Sequence, residues 1–251
     1  MDMKKIIIYS LFLFINVVAF NSCEKTSYDD SKITYYVTFD ISGDKTMLVP
    51  VGTTFVDPGF KAFEGEKDVT SNVKTDGTVD SNSLGLYTIT YSAVNADGYA
   101  SSTKRIVIVY DPTVTNDIAG NYSIDVPKSN RLQLSNSKII QYSDMKTLYG
   151  KGDFSSFVVT IAKIAPGMFT VSDLFGGYYS DGRGYGSSYE MIGYIALNPD
   201  NSLDLLSSQV SAWGDSLDGL ENGIYDPATG VIKWSAYYGG AYSFNVVINK
   251  K

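Results

Sequence analysis

The chain has 251 residues, with 20 Lys and Arg against 27 Asp and Glu, for a formal charge of −7 at pH 7. An acidic surface of this kind repels phosphate backbones and anionic headgroups, which argues against nucleic acid as a partner and against charge-driven membrane binding. Histidine is absent and Cys23 is the single cysteine, so Ser-His-Asp, Cys-His and histidine-zinc chemistry are excluded and the fold must be held by packing rather than by disulfides.

The chain opens with a secretion pattern. Lys4 and Lys5 precede an apolar run over residues 6–20, and Asn21 and Ser22 then lead to Cys23. That order reads as a lipoprotein signal over residues 1–22, with lipidation expected at Cys23. The apolar run, roughly 15 residues long, is short for a retained span of about 20. Residues 23–32, including Glu24, Asp29 and Asp30, form a polar tether. They resemble the export tether of surface lipoproteins in the Bacteroidetes, which implies an outer-membrane, cell-surface address.

Residues 33–110 carry short alternating runs separated by turn residues, with no helical period. Expected strands lie at 33–41, 86–91 and 105–110, rich in β-branched and aromatic residues. Between them, Asp57-Pro58-Gly59, Asp76-Gly77 and Asp97-Gly98 are turns, because Gly admits positive φ and Pro presets φ. The set Val51-Gly52-Thr53, Asp57-Pro58-Gly59, Asp68-Val69-Thr70, Gly85 through Tyr91, Ala96-Asp97-Gly98 and Arg105-Ile106-Val107 resembles the bacterial Ig-like module also found in pesticidal crystal proteins. Leu84 stands where that family usually has Pro. The resemblance implies a spacer or adhesion-type β-sandwich without catalytic residues.

Residues 111–116 read as a linker, since Pro112 ends the strand and the following residues lack periodicity. A second domain is expected over 117–251, with strands at 121–126, 154–164, 168–174, 189–197, 203–206, 231–236 and 242–248. About seven antiparallel strands leave two edges to protect, which closure into a lipocalin-like barrel removes; a sandwich is the alternative. The stretch 127–153 is too long for a hairpin and is expected to hold a short helix near 137–148. Alternation places Ile232, Trp234 and Ala236 on one core face and Tyr242, Phe244, Val246 and Ile248 on another.

Gly176-Gly177-Tyr178-Tyr179, the run from Asn222 to Trp234, and the ending Tyr242-Ser243-Phe244-Asn245-Val246 resemble the C-terminal domain of Bacteroidetes lipoproteins that carry the same Ig-like module in front. Such proteins are often encoded with outer-membrane glycan uptake systems. The resemblance therefore implies a carbohydrate ligand and uptake proteins as partners, and it supplies no catalytic residue.

The chemical signal of the second domain is aromatic. Flat rings bind the C–H faces of sugars while neighbouring polar groups bond the hydroxyls. Residues 175–186 mix Gly, Tyr and one charged pair without strand period, as a flexible recognition loop would. Tyr178, Tyr179, Tyr185 and Trp213 are the candidate stacking faces, with Asp181 and Arg183 as candidate hydroxyl partners. Loop packing is the competing reading for these rings.

Other motifs fail. Gly182-Arg183-Gly184-Tyr185-Gly186 lacks the helix and the Lys-Ser ending of a phosphate loop, and Ser-x-x-Lys recurs too often in this Ser-rich chain to mark a nucleophile. Asp215, Asp218 and Glu221 lack calcium-loop spacing, so neither metal nor cofactor is expected. The expectation is a non-catalytic, lipid-anchored glycan binder. The alternatives are a docking component of a surface complex and, behind it, a glycosidase using two of Asp173, Asp181, Glu190, Asp215, Asp218 and Glu221.

Overall fold

The computed structural model describes residues 33–251. The signal, Cys23 and the whole tether lie outside the described residues. The first unit packs two sheets. One joins β1 (Val37–Ile41), β3 (Phe60–Glu64) and β4 (Lys67–Asp68), and the other runs β2 (Thr46–Pro50), β7 (Ala100–Tyr110), β6 (Gly85–Val94), β5 (Lys74–Asp76). All pairings are antiparallel except β2 with β7. Inward residues alternate along β6 and β7, with Ile89, Tyr91, Val107 and Val109 buried against Phe39 and Phe60.

A buried charge organises this sandwich. Arg105 is fully buried at an inward position of β7, its Nε 3.3 Å from Asp57 Oδ1. Its guanidinium donates to the carbonyls of Ser42 (2.8 Å), Gly59 (3.1 Å) and Asp44. Tyr91 donates its hydroxyl to Asp57 Oδ2 at 2.6 Å and accepts from Arg105 Nε at 3.2 Å. The Asp57-Pro58-Gly59 turn is thus tied to β6 and β7 through one planar fork of donors, a geometry that lysine lacks.

The other face of β7 is covered as well. Ile108 packs with Ala165, Met168 and Ala196 of the second unit, flanked by Leu86, Ile106 and Leu206. This explains why the end of β7 reads as an unbroken apolar run rather than an alternating one. Between the units, Val114 is buried and joins the second core, while Pro112, Thr113, Thr115 and Asn116 are exposed.

The second unit is one curled antiparallel sheet. Its continuous path is β15 (Gly219–Asp226), β16 (Val231–Tyr238), β17 (Tyr242–Lys250), β8 (Gly120–Ile124), β11 (Val159–Ala165), β12 (Met168–Val171), β13 (Met191–Leu197), β14 (Leu203–Val210). The path returns on itself where Ser202 bridges Ile224 and Tyr225 N–H donates to Asn201 O at 2.9 Å. Gly223 makes that closure possible, because a Cβ there would lie 2.8 Å from both Cβ and the carbonyl oxygen of Leu203. A hairpin of β9 (Asn130–Gln133) and β10 (Lys138–Gln141) attaches to the first half of β17, while the last residues of β17 pair with β8. The interior is filled with side chains, Tyr122, Phe169, Trp234, Phe244 and Ile248 among them.

The helix expected over residues 137–148 is corrected. Residues 138–141 form β10, because Ile139 and Ile140 are β-branched and pair in register with Leu132 and Arg131. Only α1 (Met145–Tyr149) is α-helical, ended by Gly150 at φ 69°, whose N–H reaches Lys146 O at 2.9 Å. Strand β15 was not foreseen, since Gly219, Asn222 and Gly223 mask it and it carries a bulge between Glu221 and Ile224. We expect Arg105→Lys to destabilise the protein by about 3 kcal/mol or more, because the fork is lost and Asp57 and three carbonyls lose partners. Chemical denaturation checks this, and an unchanged midpoint would refute the role given to Arg105.

Candidate functional site

Between β12 and β13 the chain turns into the end of the barrel. Asp173, fully buried, starts that turn and fixes it. Its Oδ1 accepts from Phe175 N–H (2.9 Å) and Met191 N–H (3.0 Å), and its Oδ2 from Gly177 N–H (2.9 Å) and Ser180 Oγ (3.3 Å). Desolvation pushes its pKa up to about 7, outweighing the backbone N–H bonds that favour the carboxylate. Leu174 and Phe175 run inward, where Leu174 O accepts from Trp234 Nε1 at 2.8 Å and Phe175 O accepts from the Tyr142 hydroxyl. Gly176 sits at φ 60°, and a Cβ on it would meet Val246 Cγ1 at 2.8 Å.

Residues Tyr178–Gly182 then form a π-helical turn, with Gly182 N–H on Gly177 O (2.8 Å) and Arg183 N–H on Tyr178 O (2.9 Å). Such turns are rare and recur at functional sites. The expected flexible loop is therefore, over its first half, a buried plug. Tyr178 is enclosed, its ring meeting Tyr142, Tyr179 and Phe244. Tyr179 is 9% exposed and stands at the boundary between core and surface.

Around Tyr179 three loops bring their rings together. Tyr185 lies parallel to it at 6.1 Å, and Trp213 meets it edge-on at 5.0 Å. Tyr189 touches both Tyr185 and Trp213, and Tyr238 lies parallel to Trp213 at 6.1 Å. Tyr185 and Trp213 are 43% and 39% exposed, so they offer ring surface to solvent while their other contacts hold them in place. Ala212 N–H donates to Ser188 O at 2.9 Å, the Tyr238 hydroxyl to Asp215 Oδ2 at 2.8 Å and Gly240 N–H to Asp218 Oδ2 at 2.7 Å, and these bonds lock the loops to one another.

The remaining expected residues fall at the rim. Asp181 Oδ2 accepts from Phe154 N–H at 3.2 Å, and Arg183 donates to the Tyr185 hydroxyl at 2.9 Å while its guanidinium covers the Tyr149 ring at 4.2 Å. Sequence reasoning missed Arg131 of β9, which is 9% exposed and packs over Tyr178 and Tyr242. Its inward place on β9 is set by the Arg131↔Phe244 pairing, which nothing local in the sequence announces. Shallow depressions flank the Trp213 loop. One of about 530 Å³ is lined by Ile192, Tyr194, Ser207, Ser208, Gln209 and Ser211, and one of about 540 Å³ by Gly214, Asp215, Ser216, Asp218, Tyr238 and Gly239. Among the described residues no three acidic, histidine or cysteine side chains gather as a metal site.

The chain thus sets a curled β unit with a plugged, aromatic end behind an Ig-like sandwich. A family model for bacterial surface protein, Ig-like domain, matches residues 39–109, and one described as "-like, C-terminal domain" matches 111–250. Lipoprotein BT2262 from Bacteroides thetaiotaomicron, a solved structure, is 35% identical over 86% of this chain and 100% of its own, at a TM-score of 0.46. The chain belongs to that lipoprotein family. The CBM51-2 and INT domains of Clostridium perfringens ZmpB, solved with GlcNAc, share 15% identity over 54% of this chain and 29% of theirs at a TM-score of 0.25, too slight a likeness to carry an argument. No curated protein matches the chain.

The Asp173 pKa has a defined consequence for stability. Its folded value lies above the ordinary 3.8, so the folded state holds the proton more tightly than the unfolded state between about pH 4 and 7. The contribution of this group is full below pH 4 and is lost as pH rises toward 7. Asp173→Asn should flatten the Tm profile over that window. It should also cost about 1–3 kcal/mol, since an amide NH2 then faces backbone donors. Calorimetry at stepped pH checks both, and a variant as stable as wild type would remove Asp173 from the role given to it.

Proposed function

We propose that the protein is a non-catalytic glycan-binding lipoprotein of the outer membrane, held at the cell surface through Cys23 and passing its ligand to uptake proteins. The observation that carries this reading is the pair of half-exposed rings, Tyr185 and Trp213, fixed around Tyr179 by neighbouring aromatics. Rings that are immobilised before binding lose little conformational entropy when a sugar stacks on them. Asp181, Arg183 and Asp215 stand beside the rings and supply the acceptors and donors that hydroxyls require. Tyr178 acts from inside, supporting Tyr179.

Asp173 is unavailable for glycoside cleavage because both of its oxygens are bonded within the core. Docking onto another surface protein is the second reading. The open, shallow form of the depressions beside Trp213 favours it, since protein interfaces use Tyr and Trp on broad surfaces.

Affinity electrophoresis against a polysaccharide panel tests the leading reading: at least one polymer should retard the protein, and Trp213→Ala should weaken retardation about tenfold or more. A panel in which nothing retards it would overturn glycan binding. Cys23→Ser should move the protein from the detergent-soluble membrane fraction to the aqueous one, and protease shaving of intact cells should remove the wild type. Membrane retention of Cys23→Ser would refute the anchor.

A further inference from the structure

The sequence contains three arginines, Arg105, Arg131 and Arg183, in a chain whose charge is −7. Arg105 is matched to Asp57, but none of the ion pairs among the described residues includes Arg131 or Arg183. Both lie at the aromatic end. The Arg131 guanidinium is 5.2 Å from the Tyr178 ring centroid and 4.5 Å from that of Tyr242, and the Arg183 guanidinium is 4.2 Å from Tyr149 and 5.3 Å from Tyr185. Arg131 is 9% exposed, and neither its Nε nor the Tyr178 hydroxyl has a hydrogen-bond partner within the protein. A guanidinium so enclosed normally requires a carboxylate, because cation–π contact returns only part of the desolvation cost. Asp181 and Asp215, the carboxylates described at this end, accept instead from Phe154 N–H and the Tyr238 hydroxyl.

Resting on the glycan-binding reading, we infer that the aromatic end takes an acidic sugar, with Arg131 and Arg183 meeting the carboxylate of a uronic acid while Tyr185 and Trp213 stack on the ring plane. The planar fork of arginine matches a carboxylate in two parallel bonds, and the tyrosine faces keep each fork oriented while unliganded. With two arginines free of ion pairs at this end of a net-acidic chain, the site suits one acidic residue within a longer glycan. Net repulsion between protein and polymer is screened beyond about 8–10 Å, whereas the contact itself is not.

The test pairs native glucuronoxylan and hyaluronan with their carboxyl-reduced forms in affinity electrophoresis, with galactan and mannan as neutral references. Native acidic polymers should retard the full chain, and carboxyl reduction should weaken retardation about tenfold or more. Arg131→Met and Arg183→Met should each abolish the difference between native and reduced polymer. Arg131→Met should also keep a Tm no lower than wild type, because an apolar chain of similar volume replaces an unmatched buried charge. Should Arg131→Met fail to fold, Arg183→Met decides alone. Equal retardation by native and reduced polymers, or variants that still discriminate, would overturn the acidic specificity and leave glycan binding standing. Retardation by no polymer would remove both.

Discussion

The candidate site depends on one buried carboxylate. Asp173 gathers the N–H groups of Phe175, Gly177 and Met191 and the hydroxyl of Ser180, which spans the whole insertion between β12 and β13. With both ends of the insertion tied to a single group, the chain between them is forced inward and then wound into a π-helical turn. That turn decides which tyrosine faces the core and which faces water. Tyr178 and Tyr179 are neighbours in sequence, yet one is enclosed by Tyr142 and Phe244 while the other borders the exposed rings.

The same device recurs in the Ig-like sandwich with opposite sign, since Arg105 ties loop carbonyls, Asp57 and Tyr91 into one network. Among the described residues, buried ionisable groups with complete hydrogen bonding fix irregular segments that hydrophobic burial alone would leave degenerate. Burial sets where strands lie. Directional bonds to a buried ionisable side chain set where the loops go.

Much of the fold was legible where local pattern and burial agree. Alternation in β16 and β17 placed Ile232, Trp234, Ala236, Tyr242, Phe244, Val246 and Ile248 on core faces, and all but the partly buried Tyr242 are buried. The Asp-Gly and Asp-Pro-Gly turns marked the sandwich for the same reason, because positive φ and fixed φ act within two residues. What escaped was whatever depends on distant partners. Strand β15 is recognisable only through its pairing with β16, since Gly223 is demanded by the crossing of Leu203 and not by any strand preference. Residues 175–186 looked irregular because their order comes from Asp173 and Met191, outside the segment. Among the candidate site residues, Tyr185 and Trp213 were visible as loop aromatics. Arg131 was invisible because its inward position follows from the register of β9 with β17.

The two tryptophans occupy opposite environments: Trp234 is 2% exposed and bonded to Leu174 O, whereas Trp213 is 39% exposed among tyrosines. The protein therefore carries two intrinsic optical reporters that dissolved quenchers can separate. Trp213 alone is open to iodide or acrylamide, so its emission follows events at the aromatic end, while the shielded emission of Trp234 follows the integrity of the barrel. Occupancy of the surface and loosening of the core can thus be followed independently in one unlabelled sample.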